Sequence, residues 1–295
     1  MDITKKDGPF IESPLSTGAI MRNLMIALFP VIIFWCYQHD SLNPLIYALI
    51  GGTISFLSEF LFQITLGKRR NKRVIFYDFK HNHSFIPGLF VGILLPHNAE
   101  LYLVLIGAFL ATIFGKMIFG GFGNNKFNPA LVGIVLLTAI FGGLYNESSD
   151  IYNVSAQAID TTLGIGALVC LCSFLFLAFT RTIKWQIPLY YVGTVFVLAT
   201  ILGLINDNLW YSLVHILSGG LIFGAVFMAT DPVTTPITEA GQILGGILLG
   251  ILTFIFRFTD LYQEAVILSI LCMNILVLIL DHIGYLMNDN KKSTP

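Results

Sequence analysis

Apolar residues in this chain fall in long runs separated by short polar stretches, without the strict alternation that marks half-buried strands. Ten runs can be delimited, at 20–37, 45–66, 85–95, 101–118, 129–143, 162–180, 186–205, 211–229, 241–257 and 264–284. A hydrocarbon layer about 30 Å thick is crossed by about 20 helical residues, and most of the runs are near that length. The pattern predicts an all-α integral membrane protein of about ten transmembrane helices. A transmembrane barrel would need segments of about ten residues with alternating polarity, and none are present. Two runs are short. Residues 85–95, bounded by Pro87 and Pro96, would reach only about 16 Å as a helix, too little to cross alone against lipid. Run 129–143 opens on Asn128-Pro129, a capping residue followed by a proline suited to a first helical turn.

Composition agrees with that picture. Hydrophobic residues make up 56% of the 295-residue chain and charged residues 11%, with a mean hydropathy of +0.80; soluble domains carry about 25% charged residues. The net charge of -1 argues against a nucleic-acid-binding field. Cys36, Cys170, Cys172 and Cys272 all lie within apolar runs and read as buried small residues, not as a disulfide or metal framework. Residues 1–19 are polar and contain Pro9 and Pro14, unlike a cleavable signal peptide.

Orientation follows from the basic residues. With the amino terminus in the cytoplasm, 15 of the 16 Lys and Arg fall in inner loops or at inner helix ends, and only Arg257 falls outside. The predicted organisation is a cytoplasmic segment 1–19, a five-helix repeat 20–143, an extracytoplasmic loop 144–161, a second five-helix repeat 162–284 and a cytoplasmic tail 285–295. Both ends are then expected inside a bacterial cell membrane. The repeat rests on "GLFVGILLP" (88–96) and "GAVFMATDP" (224–232), which share length, a leading Gly and a closing Pro. An odd number of segments per unit inverts one half relative to the other, an arrangement in which interrupted helices meet near the bilayer midplane; chance likeness of two Gly-rich helices is the alternative.

Two stretches carry candidate chemistry. In "IFGKMIFGGFGNNKFNPALVG" (113–133), Gly115, Gly120, Gly121 and Gly123 let backbone approach a ligand or helix closely, and Asn124, Asn125 and Asn128 bring amides beside membrane helices. A helix N-terminus at membrane depth offers free N–H groups; a tight cytoplasmic loop with a capping Asn is the plainer reading. In "FMATDPVTTPIT" (227–238), Asp231 lies among Thr230, Thr234, Thr235 and Thr238, oxygen groups suited to a small hard cation or a polar cofactor. Alternatively Asp231 caps the next helix. Glu59 is either a carboxylate snorkelling to the interface or an intramembrane ionisable group with an ion-pathway role. His215 reads as a satisfied helix histidine, Arg257 as part of a local cluster with Asp260 and Glu264, and Asp281 and His282 as interfacial. Nucleotide-binding loops, catalytic-triad motifs and metal-ligand spacings are absent.

The chain resembles the RnfD/NqrB family, which comprises the D-type membrane component of the Rnf electron-transport complex and the related B-type component of the sodium-pumping NADH:quinone reductase. The resemblance lies in "SPLSTGAIMRNLMIALFP" (13–30), "GKMIFGGFGNNKFNPALVG" (115–133), "GGLIFGAVFMATDPVT" (219–234) and "FRF…LYQEAVILSILCMNILVLILDH" (256–282). It implies ten helices in two inverted halves and membership of a multisubunit complex. Such complexes couple electron transfer, from ferredoxin or NADH through flavins, to Na⁺ or H⁺ translocation. The chain would then be one component of an oxidoreductase and not a self-sufficient enzyme, with other membrane and peripheral subunits and lipid as partners. By the same likeness Asn125, Asn128, Gly121, Gly123, Thr230 and Asp231 are candidate cofactor-binding positions, with Glu59 and Asp231 on an ion pathway. Members of this family usually carry FMN covalently on an S/T-G-A-T threonine. Here the corresponding interval lacks that motif, and Thr161 and Thr162 are only weak stand-ins. The expected cofactor is therefore noncovalent FMN or riboflavin, if a flavin is bound at all. The competing expectations are a stand-alone small-solute channel of urea-transporter-like fold and a redox-free scaffold.

Overall fold

The computed structural model describes residues 16–65, 83–141, 165–207, 210–217, 220–259 and 264–292. The 144–161 loop, Thr161, Thr162 and Asp260 lie outside the described residues. Helices follow the apolar runs closely: α1 (Thr17–Gln38), α2 (Asn43–Thr65), α3 (Ile86–Leu94), α4 (Leu101–Thr112), α5 (Pro129–Phe141), α6 (Ile165–Phe179), α7 (Gln186–Ile205), α8 (Tyr211–Leu217), α9 (Leu221–Phe223), α10 (Glu239–Phe256) and α11 (Ala265–Lys292). The described residues contain no strand. Helices α4 and α9 each run on into a π-helical turn, Ile113–Met117 and Gly224–Met228 respectively. Among the described residues, five helices are long and apolar enough to span a membrane unaided, and α4 with its π turn, α5 and α6 are shorter apolar segments. Side chains such as Phe29, Ile33, Leu49, Leu61, Val197, Ile201 and Leu278 face outward, as a surface solvated by lipid requires.

Close contacts give the direction of each helix. Gly51 of α2 meets Gly88 of α3, and Tyr47 meets Gly92, so these helices run antiparallel with backbones almost touching. Ser55 meets Thr112 and Glu59 meets Lys116, a constant offset of 57 residues, so α2 and α4 run parallel. Gly133 of α5 meets Ala111 and Pro129 meets Gly115, which sets α5 antiparallel to α4. The second half repeats this order. In it α7 and α10 run parallel, with Gly246 against Ile187 and Gly250 against Tyr191, and α10 and α11 run antiparallel, with Gly241 and Thr238 against Asp281. Helices α1 and α6, which open the two halves, run antiparallel to each other: Asn23 pairs with Thr182 while the Ala27 carbonyl accepts from Ser173.

The short run of α3 is accommodated by burial. Pro87 to Leu94 are all buried, so the segment touches protein and not lipid, where a nine-residue helix could not span. Helix α11 continues past 284 to Lys292, so the tail begins inside a helix. Asp281 is 9% exposed and engaged with α10. Arg257 is buried at 5% exposure, where its guanidinium donates to the His215 carbonyl of α8.

Candidate functional site

The two polar stretches meet. After its π turn the chain leaves α4 through a loop in which Gly120, Gly121 and Gly123 have φ of +108, +94 and +86°. A Cβ on Gly121 or Gly123 would meet nothing within 4 Å, so these two glycines answer to backbone conformation and not to crowding. The loop ends at Asn128, whose Oδ1 accepts the Ala130 N–H at 3.1 Å and caps α5 as its sequence predicts. The Asn128 side-chain amide donates to the Met228 carbonyl at 3.3 Å, which ties this loop to the second break. Asn274 of α11 completes the junction: its Oδ1 accepts the Asn128 backbone N–H at 3.0 Å, and its Nδ2 donates to the Thr234 carbonyl at 3.0 Å.

On the other side of the junction, Asp231 closes its own turn, accepting from Thr234 Oγ1 at 3.1 Å and from the Val233 N–H at 3.4 Å. It does not cap the following helix. Thr238 does that, accepting the Gly241 N–H at 3.1 Å, while Asp281 accepts from the Ile237 and Thr238 N–H groups at 2.9 Å each. Gln242 holds the same loop by donating to the Pro236 and Ile237 carbonyls. Thr230 Oγ1 donates back to the Val226 carbonyl of the π turn at 2.5 Å.

Between the breaks lies a cleft of about 570 Å³, its open mouth included. Its walls are largely apolar, with Phe90, Phe122 and Phe227 among them; Lys116, His83, Asn125, Asn128 and Asp231 supply the polar groups. That make-up, apolar walls with a few convergent polar groups, is the make-up of small-ligand sites. Lys116 is anchored at one edge by a salt bridge to Glu59, Nζ to Oε2 at 2.7 Å, with 2% and 0% of the two side chains exposed. Glu59 is thus an internal ion-pair partner and not a snorkelling surface carboxylate.

The sequence matches the model of the NQR2, RnfD, RnfE family over residues 4–285. The chain belongs to that family. The D-type subunit of the Na(+)-translocating ferredoxin:NAD(+) oxidoreductase complex of Acetobacterium woodii is 28% identical over 254 aligned positions, 76% of each chain. Its counterpart in the proton-translocating ferredoxin:NAD(+) oxidoreductase complex of Clostridium ljungdahlii is 28% identical over 320 positions, covering 94% of this chain and 93% of its own. The corresponding D-type subunit of the ion-translocating oxidoreductase complex of a Haemophilus influenzae strain is 27% identical over 346 positions, 93% and 94%.

Within this NQR2, RnfD, RnfE family chain, the structure brings Asn125, Asn128 and Asp231 to one cleft, with Glu59 one ion pair away. Gly121, Gly123 and Thr230 shape the loops but do not line it. Sequence reasoning missed Lys116 as a site residue, and with it Asn274, Gln242 and Asp281. A lone Lys and a lone Glu near the ends of two apolar runs were the available signal for the first, because ionisable groups inside membranes pair. Asn274 had only the weaker signal of an amide inside an otherwise apolar helix.

Proposed function

We propose that this chain is the D-type membrane subunit of an Rnf-like complex. That complex couples electron transfer on the ferredoxin or NADH side to translocation of Na⁺ or H⁺. It sits in the cell membrane with both ends in the cytoplasm, among other membrane and peripheral subunits. The reading is carried by the junction of two helix breaks across a polar cleft, flanked by the buried Glu59–Lys116 pair, in a chain of this family. Interrupted helices that meet between inverted halves are where membrane transporters place ion sites. Asp231, at the mouth of the second break, and Glu59, behind Lys116, are the carboxylates we assign to the ion route.

The Asn128 amide is held by the protein, accepting from the Ala130 N–H and donating to the Met228 carbonyl, and the Asn125 amide donates to the Phe127 carbonyl at 3.2 Å, so neither side chain is given over to a ligand alone. Together with the missing S/T-G-A-T motif, this favours placing any flavin the complex uses on partner subunits. The test is reconstitution of the complex in proteoliposomes, with cation uptake followed during donor oxidation. Asp231→Asn should abolish uptake while the subunits still co-purify. Unchanged coupled uptake in that variant would favour a scaffold, and solute flux without any electron donor would favour a channel.

A further inference from the structure

The Glu59–Lys116 pair stands within a ladder of oxygen groups. Ser55, Glu59 and Gln63 recur at intervals of four on α2, so they share one face, and Thr112 precedes Lys116 by the same interval. The Ser55 and Thr112 hydroxyls are 2.5 Å apart, one turn from the ion pair. One turn to the other side, Gln63 Nε2 donates to Glu59 Oε1 at 3.3 Å. The carbonyl oxygen of that amide, Gln63 Oε1, is buried and accepts no hydrogen bond among the described residues. Carboxylate, hydroxyl and amide oxygens on converging helices form the ligand set of a hard cation, and an idle buried acceptor is costly unless something fills it. Within this ladder the ammonium group of Lys116 is paired with Glu59 Oε2. Its Nζ also lies 5.8 Å from the centroid of Phe122, which packs edge-on against His83 at 5.5 Å, and both rings line the cleft. The same Nζ thus faces both Glu59 and the Phe122 ring, and rotation of its flexible four-carbon stem would carry it further toward the cleft side. Its backbone belongs to a π turn, a local form that recurs at functional positions in helices.

We propose that Lys116 is a tethered competitor for an alkali cation at a site built from Glu59, Gln63, Ser55 and Thr112. The inference rests on the ion-translocating reading above. Its ammonium holds the Glu59 carboxylate whenever no free cation does. A Na⁺ ion takes that carboxylate only as the ammonium withdraws to the face of Phe122. Because one positive charge replaces another, the buried carboxylate is never left uncompensated, a state that proteins avoid strongly. The site then carries one net positive charge, with the displaced ammonium facing the Phe122 ring, until the ion moves on.

The test uses the purified complex in nanodiscs at constant pH and ionic strength, with NaCl exchanged for choline chloride. Melting temperature and donor oxidation rate are both followed against Na⁺. Lys116→Met should lower the Na⁺ concentration for half-maximal stabilisation at least tenfold, and Lys116→Met with Glu59→Gln should remove that response. Lys116→Arg, which keeps a charged competitor, should titrate like the parent. If Lys116→Met does not assemble, Lys116→Gln carries the same expectation. A Lys116→Met titration that overlays the parent, or a shift that survives Glu59→Gln, overturns the proposal. Failure of the parent reading shows up separately, as donor oxidation by the unmodified complex in vesicles without cation uptake.

Discussion

Gly88→Ala probes a helix crossing at which two backbones almost touch. A Cβ at this position would lie 1.9 Å from the Gly51 carbonyl oxygen and 2.5 Å from Ser55 Oγ. Carbon and carbonyl oxygen approach to about 3.3 Å in close contacts, so α3 would have to draw back from α2 by about 1.4 Å. It has nowhere to go. Val91 and Ile93 are 0% exposed, and α3 is wrapped by α2, α4 and α5. Overpacking of this kind costs about 1–3 kcal/mol, and the upper end applies because the obstacle is backbone. At about 2–4 °C per kcal/mol, a loss of about 3 kcal/mol lowers the melting temperature by about 6–12 °C. Size-exclusion melts in detergent measure this directly. Gly193→Ala is the matched control, since a Cβ there meets nothing within 4 Å inside α7. It should leave the melting temperature unchanged or raise it, by the about 0.5–1 kcal/mol that Ala gains over Gly within a helix. Superimposable melts for the two variants would refute the backbone-contact argument.

Asn274→Leu strands the Asn128 N–H and the Thr234 carbonyl, each at a cost of about 1–3 kcal/mol; crosslinking yield between cysteines placed in the 119–128 and 229–237 loops should fall along with the melting temperature. Asp281→Ala removes the acceptor for Ile237 and Thr238 and should destabilise the α10 start by about 2–3 kcal/mol, seen as faster proteolysis between α9 and α10. Asn128→Ala forfeits the α5 cap, a loss of about 1 kcal/mol, together with the link to Met228, and should cost more melting temperature than Asn124→Ala, whose amide makes only a 3.5 Å contact with the Gly120 carbonyl in its own loop. Intact-mass spectrometry of the purified chain should give the polypeptide mass alone; an added FMN mass would overturn the noncovalent reading.

Helix positions and the two breaks were legible because bilayer thickness constrains run length, and because proline and glycine punctuate membrane helices conspicuously. Asn128 as an N-cap was legible too, since capping is a local matter. What was not legible is long-range choice. Asp231 has the same local credentials as Thr238, yet Thr238 caps α10, because Asp281 arrives from a helix more than forty residues away to hold that turn. Likewise the role of Glu59 depended on whether any cation reached it, and the answer lay 57 residues along the chain, at Lys116. Packing glycines were visible as residues but not as partners: Gly51 and Gly88 acquire meaning only once α2 and α3 are antiparallel.

Helix α3 has a consequence for biogenesis. Nine residues rise about 14 Å, which is less than half the hydrocarbon thickness, so the insertion machinery cannot release this segment into lipid as an independent span. Its place is made by the glycine face of α2 and by α4, which leaves the ribosome after it. The first half must therefore settle in an order that departs from the order of synthesis, and glycosylation mapping of truncated nascent chains ending before and after α4 would reveal the change. The bilayer receives its neighbours first, and α3 slots between them as cargo already lodged in protein.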